Sequence, residues 1–149
     1  MSEAQANVER LRALLAAVDA GDIDAALACY APDYHDHDAS DARAGADALT
    51  ALRHGFRMFA EAFSDVQHSL DDAIADGDRV AARISVEARH TGAIFGVPPT
   101  GRLVRNDSIV IYRFERGLIR ERWCRERRAT RELLRAAATA ALPMDNLHQ

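Results

Sequence analysis

The sequence predicts a single α+β domain, with helices first in the chain and packed on one face of a curved antiparallel sheet that follows. Three observations predict it. Apolar residues recur at helical spacing up to Phe63. After Ser64 the period falls to two and stays there to about Arg127. Turn residues at Asp76-Gly77-Asp78 and Arg116-Gly117 break the alternating part at hairpin spacing.

The elements follow in order. Val8, Leu11, Leu15 and Val18, with Leu14 beside them, make one buried face of a first amphipathic helix. Gly21 and Asp22 break it. Ile23, Ala26, Leu27 and Tyr30 start a short second helix that carries Cys29, with Asp22 as N-cap and Pro32 as its stop. Asp33 to Asp38 is polar and extended. Asp47 to Phe63 is a third helix whose stripe of Leu49, Leu52, Phe56, Phe59 and Phe63 reads as core. Val66, His68, Leu70, Asp72 and Ile74 then share one face of a strand. Val80, Ala82, Ile84, Val86, Ala88 and His90 share one face of the next, with charged residues on the other, as in a half-buried antiparallel strand. Thr91 to Gly101 is a Gly- and Pro-rich loop. Leu103 to Phe114 and Leu118 to about Arg127 are the last strands. Ala129 to Ala141 is a closing helix, and Leu142 to Gln149 a loose tail. No repeat or linker divides the 149 residues, which fit one domain with its core at about 8–141.

Composition excludes several function classes. The net charge of −4 gives no basic field for nucleic acid or an anionic membrane. All 19 basic residues are Arg, so no lysine can form a Schiff base. The opening residues are polar and helical, unlike a signal peptide, and no apolar run approaches the ~20 residues of a membrane span. Two free thiols, Cys29 and Cys124, fit a cytoplasmic protein. Neither CxxC nor HExxH occurs, so no metal is expected.

Several strings, in order, carry a resemblance. They are Tyr30-Ala31-Pro32-Asp33-Tyr34, Gly77 to Ala81, His90-Thr91-Gly92, Gly96 to Arg102, Ile111 to Phe114 and Ile119 to Trp123. Together they make the chain, from about Val8 to Arg127, resemble the SnoaL-like polyketide cyclases, of the nuclear transport factor 2 and ketosteroid isomerase superfamily. The resemblance implies a cone: a bent sheet around a helix layer, with one pocket at the wide end. It also implies cofactor-independent chemistry on a small molecule and a homodimer paired through the outer sheet face.

Strand alternation sorts the candidate residues. The face with Val80, Ile84 and Val86 is the inner one, and His90 shares it near the strand end. On the next strand Asn106, Ser108 and Val110 match the family's inner face, leaving Ile109, Ile111, Arg105 and Asp107 outside. On the last strand Arg122, Cys124 and Glu126 alternate with Trp123. The family's acid–base Asp falls at the position of Cys124, so the carboxylate is missing. A gapless count places the base of the isomerase relatives at Asp38, without the donor pair an enolate needs. His90 with Asp36 and Asp38 are therefore the catalytic candidates, His90 to transfer a proton and a carboxylate to orient it. Asn106, Ser108, Val110, Arg122, Cys124, Glu126 and Phe59 are the substrate-binding candidates. His35 and His37 could chelate, but no third ligand is identifiable. His68 reads as structural.

The expected function is ring closure, or related acid–base chemistry of lyase or isomerase type, on an aromatic or polyketide-like substrate. The alternatives are a non-catalytic member of the fold that binds a small ligand, and an epoxide-opening hydrolase or cyclase built on Arg122, Glu126 and Asp36.

Overall fold

The computed structural model describes residues 1–38 and 43–146. Helix α1 (Glu3–Asp19) opens on a capping box, in which the Ser2 hydroxyl accepts from the Gln5 amide and the Gln5 side chain accepts from the Ser2 amide. Helix α2 (Ile23–Leu27) starts at the Asp22 cap, as expected, and ends sooner. Tyr30 and Pro32 lie in strand β1 (Tyr30–Asp36), and Cys29 sits in the turn before it rather than on a helix. Strand β2 (Arg43–Ala44) precedes helix α3 (Ala46–Ala62). Four long strands follow: β3 (Phe63–Asp76), β4 (Arg79–His90), β5 (Leu103–Glu115) and β6 (Leu118–Glu126). Helix α4 (Thr130–Asn146) closes the described chain. Residues 39–42 and the last three of the expected tail lie outside the described residues, and α4 continues through residues 142–146, which were expected to be loose.

The six strands run in the order β2-β1-β6-β5-β4-β3 in one curved, unclosed sheet. Strands β3 to β6 are joined in sequence and pair antiparallel. The four long strands are antiparallel, as expected, and the sheet as a whole is mixed, because β1 pairs with β6 in parallel. Nearly the whole domain separates these two strands in sequence, so no hairpin dictates their direction. The Arg116-Gly117 turn has positive φ at both residues, 53° and 79°, the geometry that matches strand twist in a two-residue hairpin.

The alternation read for β3 holds at Val66, His68 and Leu70 and then reverses. Leu70 faces Ile84 and Asp72 faces Arg83, so Asp71 is an extra residue in the ladder. This bulge turns Ala73 and Ala75 onto the core and leaves Ile74 72% exposed.

The core has two parts. The larger packs α1, α2 and β1 against the concave face through Leu11, Leu14, Tyr30, Tyr34, Val80, Val110, Tyr112, Phe114 and Ile119. The smaller gathers Ala62, Phe63, Ala88, Ile94 and Val97 under Leu134 of α4. Between them, open space lies between the Leu52–Phe59 part of helix α3 and strands β4 to β6, and that space is the cavity.

Candidate active site

The cavity measures about 440 Å³, within the range of small-molecule sites. Helix α1 contributes Leu14, Leu15 and Val18, and helix α3 contributes Leu52, Phe56 and Phe59. Ile84, Val86 and Ala88 of β4 form the opposite wall. The α3 stripe, expected as core, is thus only half-buried and faces open space at Phe56 and Phe59.

All seven substrate-binding candidates line this cavity: Phe59, Asn106, Ser108, Val110, Arg122, Cys124 and Glu126. The register explains the last six. Val110 faces Cys124 and Ser108 faces Glu126 across the β5–β6 ladder, so alternate residues of both strands project from the concave face, while Arg105 and Asp107, expected outside, also border the cavity where β5 meets its edge.

Arg122 is the main electrostatic feature. It faces Tyr112 across the ladder, and its Nη1 lies 3.3 Å from Asp36 Oδ2. Burial works against its charge, but Tyr112, Cys124, Asp36 and Tyr30 around it outweigh that and hold the guanidinium firmly protonated. Burial pushes Tyr30 and Tyr112 up, so both phenols stay neutral. Burial also raises the Cys124 thiol; Arg122 opposes the rise while Glu126 and Asp38 add to it. A thiol raised in this way is a weak proton donor and a poor nucleophile at neutral pH. The expected carboxylate of the last strand therefore has no chemical substitute at position 124.

The three catalytic candidates do not line the cavity. His90 is fully buried beyond its end, with its ring 5.6 Å from that of Phe63. The Thr100 amide donates to its Nδ1 at 3.3 Å, and the Thr100 hydroxyl lies 3.1 Å from the same atom. The His90 amide also donates to the Arg102 carbonyl, and its carbonyl accepts from Gly101. His90 thus ties the 91–102 loop to the sheet. It does share the concave face, as alternation predicted, but β4 runs past the cavity and Phe63 covers that stretch.

Asp36 and Asp38 are set on the sheet edge by the parallel seam. The His37 amide donates to the Arg122 carbonyl at 3.0 Å, carrying β1 along β6. Asp36 stands behind Arg122 as its ion-pair partner, and its Oδ1 accepts from the Asp38 amide. Asp38 accepts from the Cys124 amide and from Arg125. Both carboxylates are engaged in holding β6. His35 and His37 point to the opposite side, as alternation predicted. Their rings stack at 3.9 Å, and His37 stacks on Trp123 at 4.4 Å while its Nε2 meets Glu121 at 3.0 Å. No group of three or more metal-binding side chains occurs among the described residues.

His68, read from the sequence as structural, borders the cavity. It lies on β3 against α1 and sets its Nδ1 2.5 Å from Asp19 Oδ1. Its backbone amide donates to both Asp19 oxygens, at 3.0 and 3.1 Å. Asp19 is the last residue of α1, 49 positions away. The available signal was an imidazole on the apolar face of a strand.

The profile of the SnoaL-like polyketide cyclases matches residues 8–131, and the chain belongs to this family. AclR from Streptomyces galilaeus has 27% identity over 92% of this chain and 98% of its own, with a TM-score of 0.75. TsrD from Streptomyces laurentii has 26% identity over 85% and 92%, with a TM-score of 0.73. SalBIII, an epoxide hydrolase/cyclase-like enzyme of pyran ring formation in the polyether salinomycin, shares the fold. It has a TM-score of 0.68 at 21% identity, over 85% of this chain and 94% of its own. No curated protein matches the chain significantly.

Proposed function

We propose that this protein closes a ring in a flat, largely apolar, polyketide-like substrate by positioning and proton transfer. One observation carries the reading: an apolar cavity of about 440 Å³ that also presents the half-buried Arg122 guanidinium beside two neutral tyrosines. A carbonyl, phenolate or carboxylate oxygen of the substrate is the natural partner for that group. Apolar walls on both sides would hold a folded chain with its reacting ends close, and proximity alone is worth up to roughly 7–11 kcal/mol of the barrier. The chemistry is an intramolecular aldol or an attack by an internal hydroxyl, of lyase or isomerase type.

The test uses an anthraquinone bearing a β-ketoester side chain, followed by liquid chromatography and mass spectrometry. Aldol closure gives a new peak of unchanged mass, or of one water less after dehydration. Arg122→Met lowers the rate and weakens substrate binding. A wild-type rate equal to that of buffer sinks the reading.

Cys124 supports a second reading, a ligand-binding member without turnover, because the expected acid–base carboxylate is replaced by a raised thiol. In that case the anthraquinone binds and emerges unchanged. Epoxide opening is less well supported, since Asp36 reaches Arg122 but does not line the cavity.

A homodimer through the outer sheet face fits the exposure of Ile109 (61%), Leu103 (49%) and Ile111 (38%) on β5. Light scattering should give twice 16.4 kDa, with Ile109→Arg reducing it to the monomer. A wild-type monomer at micromolar concentration contradicts it. The free thiols of Cys29 and Cys124 suit a reducing cytoplasm.

A further inference from the structure

Asp19 and His68 form a pair that the expected chemistry does not use. An ionised carboxylate only accepts hydrogen bonds, so the 2.5 Å contact puts the ring proton on His68 Nδ1. In its neutral form His68 then carries its lone pair on Nε2, across the ring from Asp19. Among the described residues Nε2 has no hydrogen-bond partner, and the side chain is one of those lining the cavity. Two donors from His68 converge on Asp19, the backbone amide shared between both oxygens and the ring Nδ1–H, so the ring cannot turn without breaking its own bond. An imidazole held in one tautomer by a carboxylate, with its other nitrogen free, is the arrangement of a general base.

We propose that His68 is the general base of the cavity and Asp19 its positioning residue. The proposal rests on the cavity being the substrate site and adds the group that moves the proton. It also gives the substrate a shape. His68 faces Val86 of β4, whereas Arg122 shares a row with Tyr112 and Val80. Val80 and Val86 are six residues apart, at most roughly 20 Å along a strand, and β3 lies three strand spacings from β6, about 14 Å, both less where the sheet curves. An elongated molecule fits this spacing, with an oxygen held at Arg122 and an acidic C–H near His68. Nε2 takes the proton from that carbon, and the carbon's electron pair attacks a carbonyl carbon of the same molecule. The new alkoxide takes the proton back from the imidazolium, so the net change is an isomerisation.

The probe is 5-nitrobenzisoxazole, which needs only a base in an apolar site. Loss of its ring C–H proton to Nε2 breaks the N–O bond and releases a coloured cyanophenolate, and the proton then passes to water. The wild type should outpace free imidazole at equal concentration. His68→Asn, whose amide can still donate to Asp19, should lower kcat/KM by about 10²-fold or more with an unchanged melting curve. Asp19→Asn, which no longer fixes the tautomer, should lower it by more than about 10-fold, with Asp19→Glu recovering part. The pH–rate profile should rise as a histidine loses its proton, and that limb should vanish in His68→Asn. Asp19 faces the ring from α1, while Phe59 of α3 and Val86 of β4 bring no charge. The other titratable or charged groups on the cavity are Tyr30, Arg105, Asp107, Tyr112, Arg122, Cys124 and Glu126. The dye 8-anilinonaphthalene-1-sulfonate reports the cavity independently. If the dye binds but the wild type is no faster than imidazole, or His68→Asn keeps the rate, the proposal is overturned and the cavity reading stands. If the dye fails to bind, both fall together.

Discussion

Gly92→Ala tests how tightly the loop after β4 is pressed onto the end of α3. A Cβ at this position would sit 2.2 Å from the Glu61 carbonyl oxygen, 3.0 Å from Ala62 Cα and 3.1 Å from the Glu61 carbonyl carbon. All three are main-chain atoms at the C-terminus of α3, so no rotamer change relieves the clash. The loop has to move away. That movement lengthens the bonds from the Thr91 and Gly92 amides to the Ala62 carbonyl, both 2.9 Å. Overpacking costs about 1–3 kcal/mol, and two weakened hydrogen bonds add a fraction of about 1 kcal/mol each. A loss of roughly 3 kcal/mol is expected. In a domain of this size it lowers Tm by roughly 6–12 °C. Gly55→Ala is the control. It lies inside α3 with nothing within 4 Å of its added methyl, and replacing a helical glycine there stabilises by about 1 kcal/mol. Urea denaturation of the two variants beside the wild type measures both signs. A Gly92→Ala protein within about 1 kcal/mol of wild type would refute the close approach.

Three further expectations follow from burial and charge. Leu134→Ala removes a fully buried side chain and should cost about 2–5 kcal/mol, whereas Phe59→Ala, half-buried on the cavity wall, should cost well under the about 3–5 kcal/mol of a core Phe; equal costs by urea denaturation would mean the stripe is core. Cys124 is raised by burial and held back by Arg122, so Arg122→Met should slow its alkylation by iodoacetamide at mildly alkaline pH, and a faster reaction would contradict the electrostatics. The Arg113 hydrogen bond, with help from His37, holds Glu121 below the ordinary carboxylate range, so its contribution is present above the unfolded-state value and disappears as pH falls through the lowered folded-state one. Glu121→Gln should therefore flatten the acid limb of stability against pH, and an unchanged limb would count against the pair.

Much of the fold was legible because its strands alternate. The faces of β4, β5 and β6 follow from period two, and the cavity walls at Asn106, Ser108, Arg122 and Cys124 follow with them. Three features were hidden for separate reasons. The Asp71 bulge reverses the phase of β3 without any glycine or proline to mark it. The parallel seam joins segments about 90 residues apart, and it draws Asp36 and Asp38 onto β6 and away from the cavity. His90 kept the right face but lies beyond the cavity, because alternation gives the side of a strand and not the position of the space beneath it. The setting of His68 was hidden for a related reason. Its meaning depends on Asp19, which at the end of a helix reads as an ordinary solvated carboxylate until the fold brings the two together.

The central claim is that the cavity between α3 and the concave face is the substrate site, with Arg122 as its anchor. A crystal structure with a bound anthraquinone carboxylate tests it most directly. The account predicts the rings between Phe59 and Val86, with an oxygen within hydrogen-bond distance of the Arg122 guanidinium. A ligand bound instead on the outer face, against His37 and Trp123, with the cavity empty, would contradict it.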